Sequence, residues 1–122
     1  MASRTDQLNT ILRSLQSGSP EIEASALVSE DGLMIASALP QHIDEVRVAG
    51  ISATLISLGT RATTELSMGT MDQVLIRGEK GYAVMVKASE GTDLIVLTTA
   101  DAKLGMIFLD MSRAVAEIKR VL

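Results

Sequence analysis

The sequence contains no cysteine, no tryptophan and a single histidine. Without thiols there are no disulfides, no thiolate metal ligands and no cysteine nucleophile, and a cytoplasmic setting is permitted. One histidine leaves few forms for a Ser-His-Asp or Cys-His centre. Aromatic residues are reduced to one Tyr and one Phe, whereas a small-ligand pocket is ordinarily lined by several aromatic groups with a few converging polar ones. No apolar stretch approaches the roughly 20 residues of a membrane-spanning helix. The N-terminal segment interleaves Arg4, Asp6 and Arg13 with apolar positions, unlike the unbroken apolar run of a secretory signal. A soluble, cytoplasmic protein is therefore expected. The formal net charge is −4 with no Lys/Arg cluster, which argues against nucleic acid or an anionic membrane, since either needs a basic face. The expected partner is another protein.

What is present is apolar: 47% of 122 residues. A chain of this size fits one domain, residues 1–122, and should bury roughly two-thirds of its unfolded surface. Leu8, Ile11, Leu12 and Leu15 follow the spacing of one helix face, with Ser3 or Thr5 as N-cap and Gly18 and Pro20 as the stop. Ala24 to Ser29 and Leu33 to Ala38 read as a hairpin turning through Glu30-Asp31-Gly32. Pro40 ends that hairpin. Asp44 and Glu45 then place negative charge at the start of a long helix reaching about Leu66. Three runs, about Gln73 to Arg77, Tyr82 to Lys87 and Leu94 to Thr98, form a meander joined by Gly78-Glu79-Lys80-Gly81 and by Ser89 to Asp93. Leu104, Ile107, Phe108, Met111, Ala114, Val115, Ile118 and Leu122 share one face of a final helix. The order is α-β-β-α-β-β-β-α, an α/β (α+β) layout with a five-stranded antiparallel sheet. Consecutive apolar residues such as Leu94-Ile95-Val96-Leu97 require helices on both sheet faces.

Candidate chemistry is sparse. His42 reads as an exposed loop residue before the long helix. Gly50-Ile51-Ser52-Ala53 lacks the second glycine and the strand-to-helix turn of a nucleophile elbow, so Ser52 is a packing residue. Gly78-Glu79-Lys80-Gly81 joins two strands, whereas a phosphate-cradling loop feeds a helix N-terminus. Fifteen carboxylates are scattered without metal-ligand spacing. No catalytic residue, cofactor or metal is expected.

The informative element is the long helix, whose apolar residues form two faces where a surface helix needs one. Val48, Ile51, Leu55, Leu58, Ala62 and Leu66 make a bulky face, expected on the protein's own sheet. Val46, Ala49, Ala53 and Ile56 make an opposite, mostly small-residue face, with Arg47, Thr54, Arg61 and Glu65 as a polar stripe between. Either a loop of the same chain or a second copy must cover the small face. The chain has no spare segment, so self-association through close helix approach is the expectation. The strand Gln73 to Arg77 opens the meander, should be a sheet edge, and carries no proline to block pairing, which again suggests a two-fold dimer.

With these elements in place, the stretch Ala26-Leu27-Val28-Ser29-Glu30-Asp31-Gly32-Leu33-Met34-Ile35-Ala36-Ser37 resembles the first hairpin of roadblock/LC7 domains. Thr98-Thr99-Ala100-Asp101-Ala102-Lys103-Leu104-Gly105 is similar to their passage from last strand to last helix. With the element order, the resemblance covers about residues 5 to 122. It implies a roadblock/profilin-like fold and a homodimer or heterodimer joined through the middle helix and third strand. Carried onto this chain, the implied interface is Val46, Ala49, Ala53 and Ile56 with Val74, Leu75 and Ile76. Arg47, Thr54 and Arg61 border it, where a small Ras-like GTPase would sit. The implied function is a non-catalytic dimeric scaffold or regulator of such a GTPase, including a GTPase-activating partner. The alternative is a light-chain-like structural subunit of a motor or signalling complex without a GTPase. Arg47 or Arg61 has the chemistry of an arginine finger, although exposed helical arginines ordinarily just solvate.

Overall fold

The computed structural model describes residues 2–122. The chain runs α1 (Arg4–Gly18), β1 (Ile22–Ser29), β2 (Met34–Ala38), α2 (Glu45–Glu65), β3 (Gln73–Gly78), β4 (Gly81–Ser89), β5 (Thr92–Thr98) and α3 (Leu104–Val121). The expected element order is therefore the observed one, with boundaries shifted by a few residues. Helix α1 starts on a capping box: the Asp6 backbone N–H donates to Ser3 Oγ at 3.1 Å, and the Ser3 N–H donates to Asp6 Oδ2 at 3.4 Å. Asp44 caps α2 in the same sense, its carboxylate accepting from the Val46 N–H at 3.0 Å.

The strands form one antiparallel sheet in the order β2-β1-β5-β4-β3. Strand alternation divides the core in two. Leu27, Val84, Leu94 and Val96 point to one face, where α1 contributes Leu8 and Leu12 and α3 contributes Ile107, Met111 and Ile118. Ala26, Val28, Met85 and Ile95 point to the other, beneath Ala49 and Ile56 of α2. The unbroken apolar runs thus belong to strands covered on both sides.

Two glycines are required by this geometry. Gly32 turns the first hairpin with φ +86°, a left-handed conformation that other residues adopt only with strain. At Gly81 a Cβ would stand 1.9 Å from the Thr98 carbonyl oxygen, so only a residue without a side chain fits between these strands.

Candidate functional site

Helix α2 lies on the sheet with the face opposite to that expected. Ala49 is 2% exposed and Ile56 8%, whereas Ile51 is 53% and Leu58 58% exposed. Leu66 is also exposed, and Val48 and Leu55 are partly buried at the margin of the core. The expectation that the bulky face packs inward is corrected. The small residues face inward because the helix sits close: at Gly59 a Cβ would come within 3.0 Å of Val74 Cγ2. Ser52 is buried, as its reading as a packing residue requires, and its Oγ has no hydrogen-bond partner. His42 is exposed in the loop before α2.

This reversal sorts the candidate interface residues. Ala49 and Ile56 are inside the monomer and have almost no surface to offer another chain. Val46 is exposed and Ala53 partly buried. On β3, Val74 packs beneath α2, while Leu75 and Ile76 are exposed on opposite faces of the strand. Arg47, Thr54 and Arg61 are exposed along the outer side of α2. Arg61 lies 3.4 Å from Glu65 in a solvent-exposed ion pair of small energetic worth.

The surface of interest therefore combines the outer apolar band of α2, centred on Ile51 and Leu58, with the neighbouring strand β3. The two edges of the sheet differ. At the β2 edge, the Ser37 N–H donates to Asn9 Oδ1 of α1 at 3.2 Å, and Ser37 Oγ donates to Glu45 Oε1 at 2.6 Å. Strand β3 hydrogen-bonds to β4 on one side, and among the described residues no side chain closes its other side. Such an edge is a template for strand pairing.

The other flank of α2, away from β3, borders a cleft of about 570 Å³. Its walls are the β1–β2 turn (Glu30, Asp31), the C-terminal half of α2 (Ser57, Thr60, Arg61) and the β4–β5 hairpin, which supplies Lys87 and Asp93. Asp93 is 3% exposed, and its Oδ1 has no hydrogen-bond partner. Burial raises the pKa of this carboxyl above the ordinary aspartate value, Lys87 lowers it in part, and Glu30 raises it further. In the sequence Asp93 reads as the end of a connecting turn. The available signal was an acidic residue directly against Leu94-Ile95-Val96-Leu97, inside what proves to be a strand. Among the described residues no group of three His, Cys, Asp or Glu side chains is placed to hold a metal ion.

Comparison with known proteins agrees with this architecture. Residues 8–98 match the family described as the Roadblock/LC7 domain. Two uncharacterized proteins of Methanocaldococcus jannaschii are each 42% identical over 98 residues, covering 80% of this chain and 85% of the relative. Among solved structures, a Roadblock/LC7 domain from Streptomyces avermitilis superposes with a TM-score of 0.87 at 22% identity, covering 92% of this chain and 94% of that one. Myxococcus xanthus MglB gives a TM-score of 0.89 at 19% identity, covering 99% and 91%. The fold likeness and the extent of the sequence match lead to one assignment: this chain belongs to the roadblock/LC7 domain family.

Proposed function

We propose that the protein is a non-catalytic, dimeric scaffold or regulator that binds a small Ras-like GTPase in the cytoplasm. The observation that carries this reading is the exposed apolar band of α2 beside the open β3 edge. An apolar surface on a helix next to an unpaired strand is a liability in a monomer and an asset in a two-fold assembly. Two copies pairing β3 antiparallel extend the sheet and bring the outer faces of α2 together. In this arrangement Ile51 and Leu58 take the central position that sequence reading assigned to Ala49 and Ile56. Ile76 joins them from the α2 side of the strand, with Val74 and Val46 at the margin, while Leu75 flanks the paired strands on the opposite face and Ala53 lies toward the cleft.

Family membership supports the GTPase part of the proposal, since roadblock domains serve Ras-like GTPases as scaffolds or activators. Arg47, Thr54 and Arg61 are available on the outer side of the helix for such a partner, and their role is positional and electrostatic rather than catalytic. No helix among the described residues is long and apolar enough to cross a membrane.

The test has two stages. Sedimentation velocity should give a dimer at micromolar concentration. Titration with Ras-like GTPases of the native cell, in GDP and GTP forms, should then show saturable binding that Arg61→Glu weakens while the dimer persists. A monomer in the first stage removes the dimer proposal. A dimer that binds no GTPase in either nucleotide state leaves the light-chain-like structural role.

A further inference from the structure

We propose that the cleft on the far flank of α2 is a binding site for an organic cation, an ammonium or guanidinium group received by Asp93 together with Glu30 and Asp31. This goes beyond the dimer and GTPase reading, because the cleft lies on the flank of α2 away from β3 and its acidic acceptors, Glu30, Asp31 and Asp93, take no part in that reading.

The site centres on Asp93. Its side chain projects from β5 to the α2 side of the sheet, the side of Ile95, and forms part of the cleft wall. The residue is 3% exposed, yet Oδ1 accepts no hydrogen bond. A buried carboxylate oxygen without a donor is costly, and native proteins ordinarily satisfy such atoms. Among the described residues nothing does so here. Lys87 is its cross-strand partner and attracts it, but among the described residues the ion pair formed is Arg61 with Glu65, not Lys87 with Asp93. A cation seated in the cleft beside Asp93 offsets the charge that burial leaves uncompensated there.

The chemistry of that group follows from the rest of the cleft. With Arg61 engaged by Glu65, three carboxylates (Glu30, Asp31 and Asp93) face one remaining cation, Lys87. The surplus is negative, so an anion is disfavoured. A bare metal ion is disfavoured as well, since no three acidic side chains converge closely enough to coordinate one. A volume of about 570 Å³ instead suits a group of several atoms whose N–H donors reach separated acceptors. Thr60 adds an acceptor: its hydroxyl donates to the Ile56 carbonyl at 2.8 Å, leaving the oxygen lone pairs for an incoming N–H. Ammonium and guanidinium groups bind carboxylates through charge-assisted hydrogen bonds, the stronger class of such contacts. The group can arrive on a free small molecule or as a Lys or Arg side chain of a docking protein.

Two probes distinguish these sources at constant ionic strength: agmatine, and a blocked Gly-Arg-Gly tripeptide. Amide resonances of Thr60, Thr92 and Asp93 should shift saturably with at least one of them. Response to agmatine alone indicates a free small cation, and response to the tripeptide alone indicates a protein side chain. Response to both indicates recognition of the cationic group itself. Asp93→Asn should weaken the responding probe roughly tenfold, and Glu30→Gln should weaken it to a lesser degree. Should Asp93→Asn fold poorly, Glu30→Gln combined with Asp31→Asn carries the same test. Absence of saturable shifts with both probes, or equal binding by the charge-removing variants, overturns the proposal. Because neither probe requires a GTPase or a dimer, failure here is distinct from failure of the function proposed above.

Discussion

Replacing Leu58 and Ile56 by alanine, one at a time, probes which face of α2 belongs to the monomer and which to the dimer. Ile56 is 8% exposed and packs with Met71, Met85 and Ile95. Its truncation should cost about 2–5 kcal/mol, or about 8–20 °C in Tm at about 4 °C per kcal/mol for a domain of this size. Leu58 is 58% exposed, so more than half of its side chain gains nothing from the monomer fold. Full burial of a leucine side chain is worth about 1.5–3 kcal/mol. The portion left for a second copy is therefore worth about 1 kcal/mol per chain, and a two-fold interface counts it twice. Leu58→Ala should weaken the dimer about 30-fold, since about 1.4 kcal/mol is tenfold in Kd. In dilute monomer its Tm should fall by less than about 4 °C. Sedimentation velocity over a concentration series gives the first quantity and thermal unfolding the second. An unchanged dissociation constant for Leu58→Ala, or equal destabilisation by the two substitutions, would refute the placement of the helix faces in this dimer.

Two further outcomes concern single positions. Gly81→Ala places a methyl group where the Thr98 carbonyl oxygen stands 1.9 Å away; denaturant unfolding should show a loss of at least about 1–3 kcal/mol, whereas Gly50→Ala, in open space on α2, should gain about 0.5–1 kcal/mol. Equal effects would contradict the strand packing. Asp93→Asn should stabilise the protein at neutral pH without added cations. The folded-state pKa of Asp93 is raised chiefly by burial, so the native carboxyl holds its proton more tightly than the unfolded one, and stability falls as pH rises through that raised pKa. The gain from asparagine should vanish below the ordinary aspartate range, where both states are protonated, and unfolding midpoints across pH would expose a gain that does not.

Much of this fold was legible because local chemistry and periodicity agree. The Asp-Gly turn, an α1 cap at Ser3 or Thr5 that the structure places at Ser3, the negative charge of Asp44 and Glu45 at the start of α2 and the apolar spacing of α3 each depend on residues close together in sequence, whereas the side-chain cap that Asp44 makes is seen only in the structure. Continuous runs such as Leu94 to Leu97 also carried their meaning directly, since a strand apolar on both faces must be covered on both. The roles of the two faces of α2 were not legible. Periodicity reports that two apolar stripes exist, but which one meets the sheet depends on how closely the helix approaches it. That distance is set by non-local contacts such as Gly59 against Val74. Small residues permit close approach to any backbone, and only the tertiary structure showed that the backbone is the chain's own. Asp93 was hidden for a related reason. In sequence it closes a turn, and its unpaired carboxylate arises only when β5 and α2 fold over it and remove it from water.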